Sequence, residues 1–180
     1  PPVLQALSID PKAYAKGNVL QPIHGFAVRR IGDRESRSRS RQVVSYGIRR
    51  CEFDDYLLKR SESRFELGES LKSLKRIEGG WLVNDRFETQ LLVGAGGHFC
   101  PVVRHFSKPG AEKEPVVAAK EIEYLLDHSD LDDCPVDEKL PELFFTQDLK
   151  GYGWVFRKGN YLNVGLGRLD RSPLSGHLEE

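Results

Sequence analysis

The stretch GYGWVFRKGNYLNVGLG, residues 151–167, decides the fold of this chain. Two apolar runs flank the breaker Lys158-Gly159-Asn160, and a run, a turn and a second run predict a β-hairpin. The first run carries Tyr152, Trp154 and Phe156 at alternate positions, so one face of its strand is aromatic. Alternating aromatics often fill a core. The interleaved glycines favour instead the wall of a cavity for a flat or apolar molecule.

The composition is that of a globular protein without net charge. Its 27 lysines and arginines balance 27 aspartates and glutamates, so no overall field attracts the chain to nucleic acid or to an anionic membrane. No apolar run approaches the roughly 20 residues of a membrane span, and we expect no integral membrane segment. The cysteines Cys51, Cys100 and Cys134 stand far apart. They suit free thiols in a reducing compartment, so we expect a cytoplasmic protein.

Upstream of the hairpin, the pattern predicts two strands and a helix. Apolar-rich runs at 20–31 and 42–48 indicate strands joined by a loop over 32–41. That loop contains the basic run DRESRSRSR, residues 33–41, which we interpret as a solvated tip because no aromatic residues interleave with the arginines to stack bases. From Arg50 to Lys59, apolar residues recur three to five apart, which predicts a short amphipathic helix.

The following segments predict a small sheet, then a strand, a glycine turn and a helix. Short segments between 64 and 87, punctuated by glycines, indicate an antiparallel meander that carries Trp81. The run QLLVGAGG at 90–97 predicts a buried strand, and Pro101 suits the first turn of a helix over 99–106. Strand, turn and helix start in this order can bring backbone N–H groups to a phosphate or a sugar.

The region before the hairpin predicts two more strands separated by an acidic linker. Val, Ile and Tyr in 115–126 favour a strand, and residues 143–145 favour a short one. The acidic run 127–137 lacks the glycine and the terminal glutamate of a calcium loop, so we interpret it as solvated. No histidine stands at ligand spacing from a cysteine or a carboxylate, and we assign no metal.

Three pieces of sequence stand in a fixed order: RCEFDDYL at 50–57, LVGAGGHFCPVVR at 92–104 and GYGWVF at 151–156. Together they resemble the geranylgeranyl reductase type of FAD-dependent oxidoreductase, within the flavoproteins related to aromatic-ring hydroxylases. The resemblance covers about 45–169, and the joint occurrence is more specific than any single motif. We therefore expect an α+β (mixed α/β) fold, a twisted and mainly antiparallel sheet with a few helices.

The first two pieces are where the resemblance implies contacts with FAD. Arg50 takes the place of the arginine near the flavin in the family's R-x-x-F-D-x-x-L segment, and a guanidinium can pair bidentately with phosphate. A surface arginine is the alternative. The second piece is similar to the family's G-A-D-G-x-x-S-x-V-R segment, which adds Gly94, Ala95, Gly96, Gly97 and Arg104 as implied cofactor-binding residues. Gly96 replaces the family's aspartate, so the carboxylate is missing while the glycines still permit close backbone approach.

The third piece resembles the family's G-Y-G-W-V-F-P segment. It implies that Tyr152, Trp154 and Phe156 bind the substrate on a sheet wall that faces the flavin ring. Arg157 replaces the usual proline, so the end of the strand differs. No catalytic side chain is implied, because in flavin chemistry the cofactor performs the difficult step.

Two parts of the family pattern have no counterpart in the 180 residues. They are the opening dinucleotide-binding unit with its G-x-G-x-x-G and the later G-D segment that closes over the cofactor. We therefore expect residues 1–180 to be one fragment of a larger flavoprotein. It would hold the central substrate-binding domain and, at about 88–106, part of the FAD-binding layer.

The expected function is that of an oxidoreductase. The intact protein would bind FAD and move hydride or electrons between the flavin and an apolar or aromatic substrate, with NAD(P)H as the candidate electron donor. A flavin-dependent monooxygenase or halogenase is one alternative. A non-catalytic binding module that has lost FAD is the other, and Gly96 is the best argument for it. We expect the fragment alone to be inactive and to bind FAD weakly.

Overall fold

The computed structural model describes residues 2–107 and 116–169, and these residues form five α-helices and eleven strands. The helices are α1 (Pro2–Ala6), α2 (Pro11–Tyr14), α3 (Arg50–Arg60), α4 (Pro101–Phe106) and α5 (His128–Asp133). The strands are β1 (Leu20–Ile23), β2 (Gly25–Arg30), β3 (Ser36–Arg39), β4 (Ser45–Ile48), β5 (Leu74–Ile77), β6 (Gly80–Val83), β7 (Phe87–Thr89), β8 (Ala118–Leu125), β9 (Glu142–Phe145), β10 (Gly151–Lys158) and β11 (Tyr161–Arg168). The predicted α+β class is confirmed.

The chain divides into two compact units. The larger unit comprises residues 1–62 and 115–180, and the smaller unit comprises 63–114. No helix in the described ranges is long and apolar enough to cross a membrane.

A six-stranded sheet forms the centre of the larger unit, with the strand order β3-β2-β9-β10-β11-β8. Every neighbouring pair is antiparallel except β2 and β9, which run parallel. Strands β1 and β4 form a separate antiparallel ribbon beside β10, where the backbone N–H of Gly159 donates to Oε1 of Gln21 at 3.3 Å. The sheet therefore has this ribbon close to its central strand.

The predicted hairpin is confirmed as β10 and β11. Their register pairs Gly151 with Arg168 at one end and Lys158 with Tyr161 at the other. The two-residue turn begins at Gly159, whose φ is +59°, and a type II′ turn requires a glycine-like conformation at this position. Side chains two apart therefore share a face along all eight residues of each strand.

The helical part of the larger unit packs around Tyr14. Tyr14 is 1 % exposed and meets Phe53 and Tyr56 edge to face, with ring centroids 5.8 and 5.0 Å apart. Leu4 and Ile9 complete the buried cluster. The predicted amphipathic helix is confirmed as α3, because its apolar residues at three- and four-residue spacing point into this cluster.

The smaller unit contains the predicted meander, confirmed as the antiparallel sheet β5-β6-β7. Trp81 on β6 packs edge to face on Phe106, with ring centroids 5.1 Å apart. Helix α4 starts at Pro101 as predicted.

The buried strand predicted at 90–97 is wrong. Residues 91–95 have no regular structure, and Leu91 and Val93 are more than 70 % exposed. An apolar run becomes a buried strand only where neighbouring strands supply backbone partners. Within the described ranges no strand pairs with this run.

Two segments interpreted as loops are ordered. Residues 36–39 of the basic loop form the edge strand β3, whose side chains are all exposed, since backbone pairing with β2 needs no apolar side chains. Gly25 permits this pairing, because a Cβ there would stand 1.8 Å from the carbonyl oxygen of Ser38. In the acidic linker, Asp127 accepts the backbone N–H of Asp130 and caps helix α5. The predicted strands at 115–126 and 143–145 are confirmed as β8 and β9 among the described residues.

Candidate functional site

An aromatic cavity of about 340 Å³ lies on one face of the six-stranded sheet. Its walls come from four parts of the larger unit: the β1–β4 ribbon, β2, the β9–β10 pair and β8. The lining residues are Ile23, Phe26, Ser45, Tyr46, Glu121, Pro141, Leu143, Tyr152, Trp154 and Phe156. All three residues predicted to bind substrate are therefore brought together in one concave site.

The strand pattern explains why the three aromatics meet. Tyr152, Trp154 and Phe156 occupy alternate positions of β10, so they project from the same face. The rings of Tyr152 and Trp154 are 5.5 Å apart, and the ring of Phe145 on β9 lies 6.1 Å from that of Tyr152. Such tilted contacts fall in the favourable range for aromatic pairs. The result is a continuous aromatic surface along the sheet.

Two residues of β11 fix the indole of Trp154. The ring lies over Gly165, where a Cβ would stand 2.2 Å from Cζ2 and 2.4 Å from Cε2. Its Nε1–H donates to Oδ1 of Asn163 at 2.8 Å, and Asn163 is wholly buried. Because the indole N–H can only donate, the oxygen of the Asn163 amide must face it. Only one orientation of Trp154 therefore satisfies both neighbours.

The amide of Asn163 also reaches the acidic residue of the cavity. Its Nδ2 donates to Oε2 of Glu121 at a long 3.5 Å. The strand register places Glu121 directly across from Gly165, which itself lies across from Trp154. Among the ten lining residues, Glu121 is the one with an ionisable carboxyl.

A partly buried ion network lies beside the cavity on the same sheet face. Glu123 accepts from Nε of Arg49 and from Nζ of Lys158, each at 2.9 Å. Arg49 also donates to Glu52 at 2.9 Å, and its guanidinium stacks 3.9 Å from the ring centre of Tyr161. The network ties the loop before α3 to β8 and to the end of β10.

The charges in this network stabilise one another. Burial acts to raise the pKa of Glu123, but the hydrogen bonds from Arg49 and Lys158 outweigh burial and hold that pKa below its usual value. The hydrogen bond to Glu123 raises the pKa of Arg49 in turn. These groups therefore stay charged at neutral pH and support the strands behind the aromatic surface.

Five of the six predicted cofactor-binding residues lie in one segment of the smaller unit. Residues 94–97 are an exposed stretch that ends in a 3₁₀ turn over Gly97–Phe99, and α4 with Arg104 follows. Gly94 and Gly96 are closed on one side by the thiol of Cys100, since a Cβ on either would stand 3.3 Å from its Sγ. Gly97 has a φ of +68°, and a Cβ there would meet nothing within 4 Å.

This segment fits one part of the expected contact with FAD. The open side of Gly97 leaves its backbone accessible to a phosphate or sugar oxygen. Arg104 is exposed, and its Nη2 donates to the carbonyl oxygen of Phe99 at 2.8 Å. Position 96 offers no side-chain hydrogen-bonding group because it is glycine.

Arg50, the sixth predicted residue, lies on α3 of the larger unit. Its guanidinium forms two hydrogen bonds with Asp54, at 3.2 and 3.3 Å, and its side chain is 73 % exposed. A phosphate at Arg50 would have to compete with this carboxylate. The neighbouring Arg49, which sequence reasoning passed over, is the arginine held by several partners.

Sequence reasoning also missed Asn163, Glu121 and Glu123. One signal was present: Asn163 is a polar residue at an alternate position between Tyr161 and Gly165, on a face expected to be apolar. A buried amide at such a position needs partners of its own. The roles of the two glutamates depend on strand register, which the sequence of β8 alone does not determine.

No protein-family model matches this chain, and no curated protein matches it.

Proposed function

We propose that the aromatic face of β10 is the substrate-binding wall of an FAD-dependent oxidoreductase that acts on an apolar or aromatic small molecule. The observation that carries the proposal is the shared cavity: Tyr152, Trp154 and Phe156 line one space of about 340 Å³ together with Leu143 and Phe26. This volume is in the range of small-molecule sites, and an apolar lining with few polar groups is typical of them. The three sequence pieces that resemble geranylgeranyl reductases support the flavin part of the proposal.

Each side chain of the wall has a distinct task. The fixed indole of Trp154 offers a flat surface on which a ring or a planar double bond can stack. Tyr152 and Phe156 extend this surface along the strand and displace water from the bound molecule. FAD, when bound, would supply hydride or electron transfer, while the chain holds and orients the substrate.

The proposal assigns FAD contacts to Gly94–Gly97 and Arg104, and a further phosphate contact to Arg50. Accessible backbone at Gly97 supports the first assignment. NAD(P)H is the proposed electron donor. We propose a cytoplasmic location, since Cys51, Cys100 and Cys134 are free thiols, as expected in a reducing compartment.

The test is kinetic and uses the flavin-loaded protein that contains this chain. With NADPH as donor, a panel of prenyl-chain and aromatic compounds is screened for substrate-dependent flavin turnover. Trp154→Ala should lower kcat/KM at least about tenfold and leave flavin content unchanged, because the wall contacts the substrate alone. Tyr124→Ala is the matched control: Tyr124 is an exposed aromatic on the opposite face of the same sheet, and its removal should change little.

The same preparation separates the alternatives. Turnover without oxygen supports a reductase, whereas substrate-dependent oxygen uptake supports a monooxygenase or halogenase. Absence of flavin absorption bands, even after FAD is added, would replace the oxidoreductase with a non-catalytic binding module. The glycine at position 96 is the feature that favours this module.

A further inference from the structure

We infer that Glu121 binds a positively charged group of the ligand, so that the cavity takes an amine with an aromatic or aliphatic body. This inference rests on the proposed function, because it specifies the chemistry of the molecule that the aromatic wall accepts. It concerns a residue to which neither the sequence pattern nor the resemblance gave a role.

The strand register aligns the relevant groups in one row. Leu143 on β9, Trp154 on β10 and Gly165 on β11 lie side by side, and Glu121 on β8 is next. The indole occupies the space above Gly165, the one residue between Trp154 and Glu121. A molecule stacked on Trp154 can therefore extend one end toward the carboxylate.

The charge on Glu121 lacks the compensation that its neighbour has. Glu123 lies two residues along the same face and forms ion pairs with both Arg49 and Lys158. Within residues 2–107 and 116–169, no cation pairs with Glu121, and its contact is the 3.5 Å hydrogen bond from Asn163. Two carboxylates on one strand face thus differ in a simple way: one is paired inside the protein and the other borders the cavity.

The aromatic rings favour the same ligand charge. Tyr46, Tyr152, Trp154 and Phe156 line the cavity with Glu121. The face of an aromatic ring carries negative electrostatic potential, so ring faces attract an ammonium group. A carboxylate and aromatic rings around one space are complementary to an organic cation, whereas they repel a carboxylate or phosphate ligand.

Calorimetric titration of the 180-residue chain tests this inference with two probes of equal size. The probes are 2-phenylethylamine, which is positively charged at pH 7, and 2-phenylethanol, its neutral analogue. We expect the amine to bind about fivefold more tightly, the effect of one partly exposed ion pair with a ring contact. Glu121→Gln should bring the two affinities to within about twofold, with the alcohol unchanged.

Two further variants guard against misreading that loss. Glu142→Gln makes the same charge change on the opposite face of the sheet, since Glu142 pairs with Val155 and not with Trp154, and it should preserve the preference for the amine. Glu121→Asp keeps the charge and should retain most of the preference. If 2-phenylethanol binds and the amine binds no more tightly, the role of Glu121 is wrong while the aromatic wall stands. If neither probe binds, the wall and the role of Glu121 both fail.

Discussion

At the scale of single residues, the orientation of Trp154 depends on a buried amide. Asn163 is wholly buried, and its oxygen accepts the indole N–H at 2.8 Å. Inside a protein, a donor left without its acceptor costs more than the hydrogen bond itself contributes. Asn163 therefore both stabilises the hairpin and fixes the surface on which the ligand stacks.

A double-mutant cycle measures this coupling. Asn163→Ala should lower the free energy of unfolding by about 1–3 kcal/mol, because it strands the indole N–H. In a Trp154→Phe background, which has no such donor, the same change should cost about 1 kcal/mol less. Urea denaturation of the four proteins gives the coupling energy. Additive costs would mean that the hydrogen bond does not hold Trp154.

Gly165 is the second residue that positions the indole. A Cβ at this position would stand 2.2 Å from the indole and 2.9 Å from the carbonyl oxygen of Lys120. Gly165→Ala should therefore destabilise the chain by about 1–3 kcal/mol, and it should weaken binding of neutral aromatic probes. Gly153→Ala is the control, since its Cβ would meet nothing closer than 3.4 Å and should cost under about 1 kcal/mol. Equal costs for the two variants in urea denaturation would contradict the packing argument.

At the scale of elements, the Glu123 network joins the loop before α3 to β8 and β10. Its partners, Arg49 and Lys158, come from positions far apart in the sequence. The pKa of Glu123 is lower in the folded chain than in the unfolded chain. Its contribution to stability is therefore complete above the ordinary glutamate value of about 4.3 and is lost as pH falls through the lower, folded pKa.

The network predicts a specific pH dependence. The difference in stability between the native chain and Glu123→Gln should be largest near pH 7 and should shrink as pH falls from about 5 to 3. Urea midpoints measured across this range give the difference. Glu138→Gln is the control, because it removes a carboxylate from an exposed pair with Lys139, where water screens the interaction. A difference that is constant down to pH 3 would show that the Glu123 charge contributes nothing.

Elements with local signals were predictable, and those that depend on distant partners were not. The hairpin at 151–167 and helix α3 follow from alternation, a glycine turn and helical spacing within each segment. The run at 90–97 has the composition of a buried strand, yet that assignment needs neighbouring strands that the pattern cannot supply. The edge strand β3 shows the converse, because a polar segment pairs where a partner backbone is available.

The candidate site divides in the same way. Alternation along β10 predicted that Tyr152, Trp154 and Phe156 share a face, and they line one cavity. The contributions of Glu121 and Asn163 required the register between β8, β10 and β11, which side-chain pattern alone leaves open. The implied FAD contacts of Arg50 and of 94–104 stay predictions.

At the scale of the whole molecule, the smaller unit provides a prediction about the cofactor. Its segment 94–104 offers accessible backbone at Gly97 and one arginine, but no carboxylate at position 96. Calorimetry with FAD should therefore show a dissociation constant weaker than about 100 μM for these 180 residues, since few of the contacts that hold a dinucleotide are present. Micromolar affinity would contradict this and would mean that the chain holds FAD by itself.

The central claim is that the cavity on β10 binds an apolar or aromatic molecule, and the indole N–H signals test it most directly. The chain has two tryptophans, Trp154 in the larger unit and Trp81 in the smaller unit. In a ¹H–¹⁵N NMR titration with 2-phenylethanol, the account predicts that the Trp154 indole signal shifts and saturates while the Trp81 signal stays in place. A stationary Trp154 signal, or a shift confined to Trp81, would contradict it.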